Sequence, residues 1–211
     1  IFVGVPLDRF INNSPLRNRY RKELSIKKGS IVLLYMGRFN REMGLHNIID
    51  IIPSLLKSHV DFHIILAGAS GELKDQAFEC KSLHPDEITI MNDISFNLQP
   101  SLYAASDIVL APSRSRHACM GVSIKEAMAA SIPVIVSDSG GIPEAVLHNE
   151  TGIIVPLQED GENNIEGLKR AIIQLSLNKK KREIFAVNSR KRASDLFSEE
   201  KTIEKTFELL K

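Results

Sequence analysis

The 211-residue chain holds only two cysteines, Cys80 and Cys119. That count excludes a disulfide framework and a four-cysteine zinc site, and it favours a reduced, cytoplasmic setting. No apolar run reaches the roughly 18–20 residues of a membrane span. The opening "IFVGVPLDRF" lacks the basic start and long apolar region of a signal peptide. It also lacks an initiator methionine, so a fragment of a longer protein is expected. Charge of either sign is nearly balanced, at a formal net +1. The balance names no partner, and nucleic acid is not expected as one. There is no G-x-S-x-G, no P-loop, no internal repeat and no low-complexity tract. What remains is an ordinary globular composition, 43% apolar and 25% charged, long enough to bury a sizeable core.

Short apolar runs alternate with helical patterns. "IVLLYM" (31–36), "FHIILAG" (62–68), "ITIM" (88–91), "DIVLAPS" (107–113), "IPVIVS" (132–137) and "TGIIVP" (151–156) are apolar throughout rather than alternating. Strands covered on both faces have that composition. Helical patterns lie between them over 44–57, 71–82 and 97–105, the last carrying Tyr103, and over the stretch "HACMGVSIKEAMAAS" (117–131). This spacing predicts an α/β domain over about 28–175: a doubly wound, Rossmann-like parallel sheet of about six strands with helices on both faces. From 163 to 211 only helical patterns occur. Residues 169–192 hold nine Lys/Arg and one Glu. A solvated helix face is the plainer account of that run, and peripheral contact with an anionic membrane surface the sharper one.

Ligands of open α/β sheets bind beyond the carboxyl ends of the strands, which directs attention to the loops there. After the first strand run, Gly37 permits close backbone approach and Arg38 offers a guanidinium fork suited to phosphate. After the second, "GASGEL" (68–73) is too incomplete for a dinucleotide fingerprint and reads better as a tight turn. After the fourth, Arg114, Arg116 and His117 precede a helix start. Backbone N–H groups near Met120, Gly121 and Val122 would point outward there, an anion site. Glu126 lies too far along to cap that helix. It suits the vicinal diol of a ribose, with a surface position or a salt bridge to Arg114 as the plainer accounts. After the fifth, Gly140 and Gly141 form either a ligand-approaching loop or a plain turn. Metal signals are weak: His59, Asp61 and His63 share strand spacing but sit at the wrong end of their strand, as surface or edge residues. His117 and Cys119 have no third ligand nearby.

Together these stretches carry a resemblance. "VGVPLDRF" (3–10), "LYMGRFNREMGL" (34–45), "ITIMNDISFNLQPSLYAASDIVLAPS" (88–113), "GVSIKEAMAASIPVIVSDSGGIPE" (121–144), "ETGIIVP" (150–156) and "FSEEKTIEKTFELL" (197–210) resemble, in order, the motifs of the C-terminal, donor-binding domain of group 1 glycosyltransferases, the retaining GT-B enzymes. The resemblance implies that residues 1–211 are a single nucleotide-sugar-binding domain, with the N-terminal acceptor domain absent from this chain. It implies a UDP- or GDP-type sugar donor, no essential metal, and transfer to an acceptor in cell-surface polysaccharide or glycolipid synthesis. By position, Gly37 and Arg38 would meet the diphosphate, with Arg38 assisting its departure. Met120, Gly121 and Val122 would hold phosphate and Glu126 the ribose.

Three positions depart from the family pattern. Met43 stands where the family has Lys, with Arg41 the nearest substitute. Ala118, beside Cys119, stands where it has Glu. Ser131 stands where it has Gly, at a modest strain cost. Met43 and Ala118 support the alternative of a nucleotide- or partner-binding domain without catalysis. A sugar-nucleotide epimerase is the third reading, and "EAMAASIPVIVSDSGGIPE" argues against it. The closing helix, which in the family packs on the other domain, is expected to be bare or repacked.

Overall fold

A computed structural model describes residues 2–11 and 14–210. Six parallel strands form one sheet: β1 (Ile31–Met36), β2 (Phe62–Gly68), β3 (Ile88–Asn92), β4 (Ile108–Ala111), β5 (Val134–Ser137) and β6 (Gly152–Val155). Their order across the sheet is β3-β2-β1-β4-β5-β6, with β1 in register with β4 from Leu33↔Ile108 to Tyr35↔Leu110. Strands are added outward from β1 to β3 on one side and from β4 to β6 on the other, so the winding reverses between β1 and β4, where a crevice lies at the carboxyl ends.

The period of two within each strand explains why all its residues are apolar. Leu33, Tyr35, Ile64, Leu66, Ile108 and Leu110 point to one face and pack against α2 (Leu45–Leu56), α3 (Lys74–Leu83) and α7 (Ile165–Leu177). Val32, Leu34, Ile65, Ala67, Val109 and Val134 point to the other. There they meet α4 (Gln99–Ala105), α5 (Val122–Ala129) and the end of α8 (Lys179–Leu196). A four-residue helix, α6 (Ile142–Ala145), follows β5. The expected doubly wound sheet is therefore observed, though β4 and β5 are shorter than their apolar runs.

The domain extends further at both ends than the expected 28–175. Helix α1 (Ser14–Glu23) has no apolar pattern and no buried residue. Charge attaches it instead: Arg17 and Arg21 each reach Asp107 at 2.5 Å, and they also donate to the carbonyls of Ala104, Ala105 and Ser106. At the other end, Val5 N–H donates to Phe197 O (2.8 Å) and Glu199 N–H to Val5 O (3.2 Å), so the first residues pair with the tail. Val5, Phe10 and Phe197 belong to the core. The basic run turns partly inward. Arg190 donates to the carbonyls of Leu7, Phe10 and Ala129, Arg192 to those of Glu144 and Ala145, and Arg182 to those of Leu175 and Ser176. Helix α9 (Glu199–Leu209) has no buried residue, and Ile203 and Phe207 are exposed on it. His63 is buried rather than superficial. Its Nε2 pairs with Thr89 Oγ1 at 2.8 Å, and burial pushes its pKa down to about 4.

Candidate functional site

Three loops meet over the crevice. The β1 loop (37–44) is pinned to the β4 loop (112–121) through Glu42. The Glu42 carbonyl accepts from Arg114 N–H (3.0 Å) and Ser113 Oγ (3.2 Å), and its carboxylate accepts from Ser115 Oγ (2.6 Å). The β5 loop braces the same segment. Ser139 Oγ donates to Ser115 O (2.7 Å) and Gly141 N–H to Ala118 O (2.8 Å). Gly140 has φ +53, and a Cβ on it would stand 2.4 Å from Ala118 O, so left-handed backbone and close approach both require glycine there. The glycine pair thus meets the chain's own backbone.

A cleft of about 560 Å³ lies over the crevice, a size suited to a small-molecule ligand. Gly37, Arg38, Gly68, Ala69, Asp93, Gln99, Val122, Ser123 and Glu126 line it. Arg38 is exposed, and among the described residues its guanidinium has no ion pair or hydrogen bond. Helix α5 begins at Gly121, φ +71, with no side chain capping it. The first N–H groups of such a helix lack internal partners and carry the positive end of its dipole.

Glu126 points into the cleft from the second turn of α5. It is 8% exposed, and its Oε2 accepts from Tyr103 Oη at 2.8 Å. Burial raises its pKa above the ordinary carboxylate value, against the opposing pull of the Tyr103 hydrogen bond and the Arg9 and Lys125 charges. Tyr103 is fully buried, and burial with the neighbouring carboxylate holds its phenol well above the usual range, so it serves as a neutral donor. No salt bridge joins Glu126 to Arg114, which pairs with Glu162 instead. Arg9 stacks on Phe96 and donates to its carbonyl, close enough to Glu126 to act on it electrostatically.

A second cavity of about 330 Å³ adjoins the first and shares Met36, Gly37, Val122 and Ser123 with it. Met43, Ala118, Cys119 and Gly121 stand on its wall. The structure therefore gathers Gly37, Arg38, Val122 and Glu126 on one cleft and Met43, Ala118, Cys119 and Gly121 on its neighbour. Met120, Arg41, Gly140 and Gly141 line neither. Sequence reasoning gave no role to Asp93, Gln99, Ser123, Arg9 or the clamp residue Glu42. Asp93 has a non-glycine φ of +54, and it fixes the 68–71 turn by accepting from Ser70 N–H and Oγ (3.1 and 3.0 Å). No cluster of three metal-binding side chains occurs among the described residues. Ser131 has φ +60. Its N–H donates to Met128 O and that of Ile132 to Ala127 O, the paired bonds of a Schellman stop, whose left-handed position favours glycine.

Known proteins share this architecture. Anabaena HepE, solved in complex with UDP, superposes with a TM-score of 0.83 at 20% identity, covering 98% of this chain and 55% of that one. Spore coat protein SA of Bacillus subtilis is 28% identical over 195 residues, 89% of this chain and 50% of its own length. A GDP-mannose-dependent alpha-(1-6)-phosphatidylinositol monomannoside mannosyltransferase of Mycobacterium tuberculosis is 29% identical over 160 residues, 72% of this chain and 41% of its own. The chain thus spans about half the length of the curated relatives it matches. The sequence profile of glycosyl transferases group 1 matches residues 17–192, most of the chain and all six strands. The protein belongs to the group 1 glycosyl transferases.

Proposed function

We propose that this chain is the donor-binding half of a retaining glycosyltransferase, which moves a sugar from a UDP- or GDP-type nucleotide to an acceptor held by a preceding N-terminal domain. The acceptor belongs to cell-surface polysaccharide or glycolipid synthesis. One observation carries the reading: the unpaired Arg38, the uncapped start of α5 and the buried Glu126 all face one cleft.

In this reading Arg38 and the N–H groups of Gly121, Val122 and Ser123 take the diphosphate. Their positive charge is fixed before the bond breaks, so it stabilises the leaving diphosphate without reorganisation. Gly37 lets the phosphate approach the β1 loop. Glu126, with one oxygen held by Tyr103, turns its remaining lone pairs to the ribose hydroxyls. Met120 and the Gly140–Gly141 turn hold the phosphate loop in shape. The charge on the diphosphate is met by protein groups, and the reaction is assigned as metal-independent; full activity in excess chelator is the expected result. The protein works at the cytoplasmic side of the membrane, and the lysines of α8 that are not tied to carbonyls give it peripheral contact there. Sedimentation with anionic vesicles at low salt tests that contact.

The second reading is a domain that binds the nucleotide without turnover, and the apolar Met43 and Ala118 beside the cleft favour it. Thermal-shift series of the full-length protein with UDP, GDP and ADP come first, then sugar release and transfer with the matching donors. Binding with turnover supports the enzyme. Binding without turnover on any donor leaves the second reading, and no binding at all removes both.

A further inference from the structure

A cavity of about 310 Å³ lies at the opposite edge of the sheet from the cleft, where β4 and β5 begin. Arg17, Asp107, Ser131, Lys179, Arg182 and Glu183 stand on its wall. Four cations surround the space, because Arg21 shares Asp107 with Arg17. Two carboxylates oppose them, which leaves an excess of two positive charges. Asp107 is fully engaged: its Oδ1 accepts from Arg17, and its Oδ2 from Arg21 and from Val32 N–H (2.7 Å). Glu183 is exposed and stands 3.7 Å from Lys179. Arg182 has no acid partner within ion-pair distance among the described residues. Its Nη1 donates to the carbonyls of Leu175 and Ser176, while its Nε and Nη2 have no partner among the described residues. Arg17, whose Nε is free in the same way, is close enough to repel it.

Ser131 adds a hydroxyl to this wall at the cost of a left-handed backbone, φ +60, and its Oγ makes no hydrogen bond among the described residues. The carbonyls that end α5 do not oppose an anion beside it. Those of Glu126, Ala127 and Met128 accept from backbone N–H groups, and that of Ala129 from Arg190. Guanidinium edges, an ammonium and a hydroxyl thus border a space with surplus positive charge, which is the chemistry that recognises phosphate. A monoester reaches two negative charges near neutral pH, having a second pKa of about 6, whereas a diester carries one. We propose that this cavity binds a phosphate monoester, with Arg182, Arg17, Lys179 and Ser131 as its donors.

Calorimetry of the full-length protein with methyl phosphate and dimethyl phosphate at pH 7.5 tests it. The monoester is expected to bind about tenfold tighter than the diester, as befits one further charge-assisted contact. Arg182→Gln should weaken the monoester about tenfold. Arg182 also caps α7, so Lys179→Gln and Ser131→Gly, which leave those carbonyl bonds in place, are the second and third variants. Each should cost about two- to fivefold, and a circular-dichroism spectrum matching wild type shows that each is folded. No binding of methyl phosphate at millimolar concentration overturns the inference, as does equal binding of dimethyl phosphate. Affinity that falls in Arg38→Ala and not in these three variants places the phosphate in the donor cleft and overturns it too. Phosphatidic acid carries the same monoester. Sedimentation with its vesicles in preference to those of phosphatidylglycerol, lost in the variants, assigns the group to a lipid; binding of methyl phosphate without that preference assigns it to a soluble ligand.

Discussion

Glu126→Gln separates a ligand-holding carboxylate from a structural one. Wild-type Glu126 is buried, accepts one hydrogen bond from Tyr103, and is disfavoured as an anion by its surroundings. The amide oxygen of Gln can keep the Tyr103 bond, and Tyr103 Oη also has Ser123 O within reach at 3.2 Å. Folding therefore loses little and sheds a desolvated charge. Ligand binding loses more, because one of two acceptor oxygens becomes a donor and the remaining bond is no longer charge-assisted. Hydrogen bonds to charged groups are worth about 1.5–3 kcal/mol, and a neutral replacement recovers part of that. We expect about tenfold weaker nucleoside-diphosphate binding, about 1.4 kcal/mol, with an unchanged or higher melting temperature.

The pH dependence follows from linkage. A carboxyl whose pKa is raised on folding binds more protons folded than unfolded, so its unfavourable contribution grows as pH rises above the ordinary value of 4.5. Gln lacks that term. The stability advantage of the variant should therefore be smallest in acid and widen towards neutral pH, then level off. Calorimetric titration at pH 7 and melts from pH 4 to 8 measure both effects. Wild-type affinity in Glu126→Gln, or a melting temperature lowered in step with affinity, would refute the reasoning.

Arg38→Ala removes an unpaired, exposed guanidinium, so stability should hold within about 0.5 kcal/mol while the transfer rate falls by about 10²–10³; loss of stability without loss of rate would count against its role. Ser131→Gly relieves a left-handed serine in the Schellman stop of α5, and a gain of about 0.5–1 kcal/mol in urea melts is expected; a loss would show that the position is unstrained. His63, with its pKa pushed down to about 4 from 6.5, is protonated more readily unfolded than folded, so stability is present above pH 6.5 and is lost as pH falls towards 4. That loss is on the order of 2 kcal/mol, and it should be absent in His63→Gln; an equal acid loss in the variant would place its cause elsewhere.

The sheet was legible because burial on both faces makes every strand position apolar, a pattern that needs no partner to recognise. Helix α1 was not, because Arg17 and Arg21 bind it through Asp107 and three carbonyls. Charges on one helix meeting carbonyls about 85 residues away leave no periodic trace. The basic run misled in part for the same reason, since arginines that cap distant carbonyls look like a solvated face in sequence. In the site, Arg38 was expected at the tip of the first strand and Glu126 within the helix after the fourth, and both line the cleft. Glu42 was passed over because its work is done on residues 113–115, in another loop. Gly140 and Gly141 were left between a ligand-approaching loop and a plain turn, because their partner, Ala118 O, is a backbone atom that no side-chain pattern announces.

The chemistry of the cleft and the bracing beneath it bear together on function. Arg38 is unpaired, α5 is uncapped and Glu126 is a desolvated anion, all on one cleft. Each is complementary to a different ligand group: phosphate for the first two, hydroxyls for the third. Glu42, Ser115, Ser139 and Gly141 bind the three loops to each other beneath the cleft. That bracing is independent of any ligand. It keeps the donors and acceptors apart from one another and aimed at the cleft, so a diphosphate and a ribose meet groups already in place. By mass action, a nucleoside diphosphate at 100 times its Kd adds about 2.7 kcal/mol to stability. The same concentration should add only about 1.4 kcal/mol in Glu126→Gln, where the affinity is about tenfold lower.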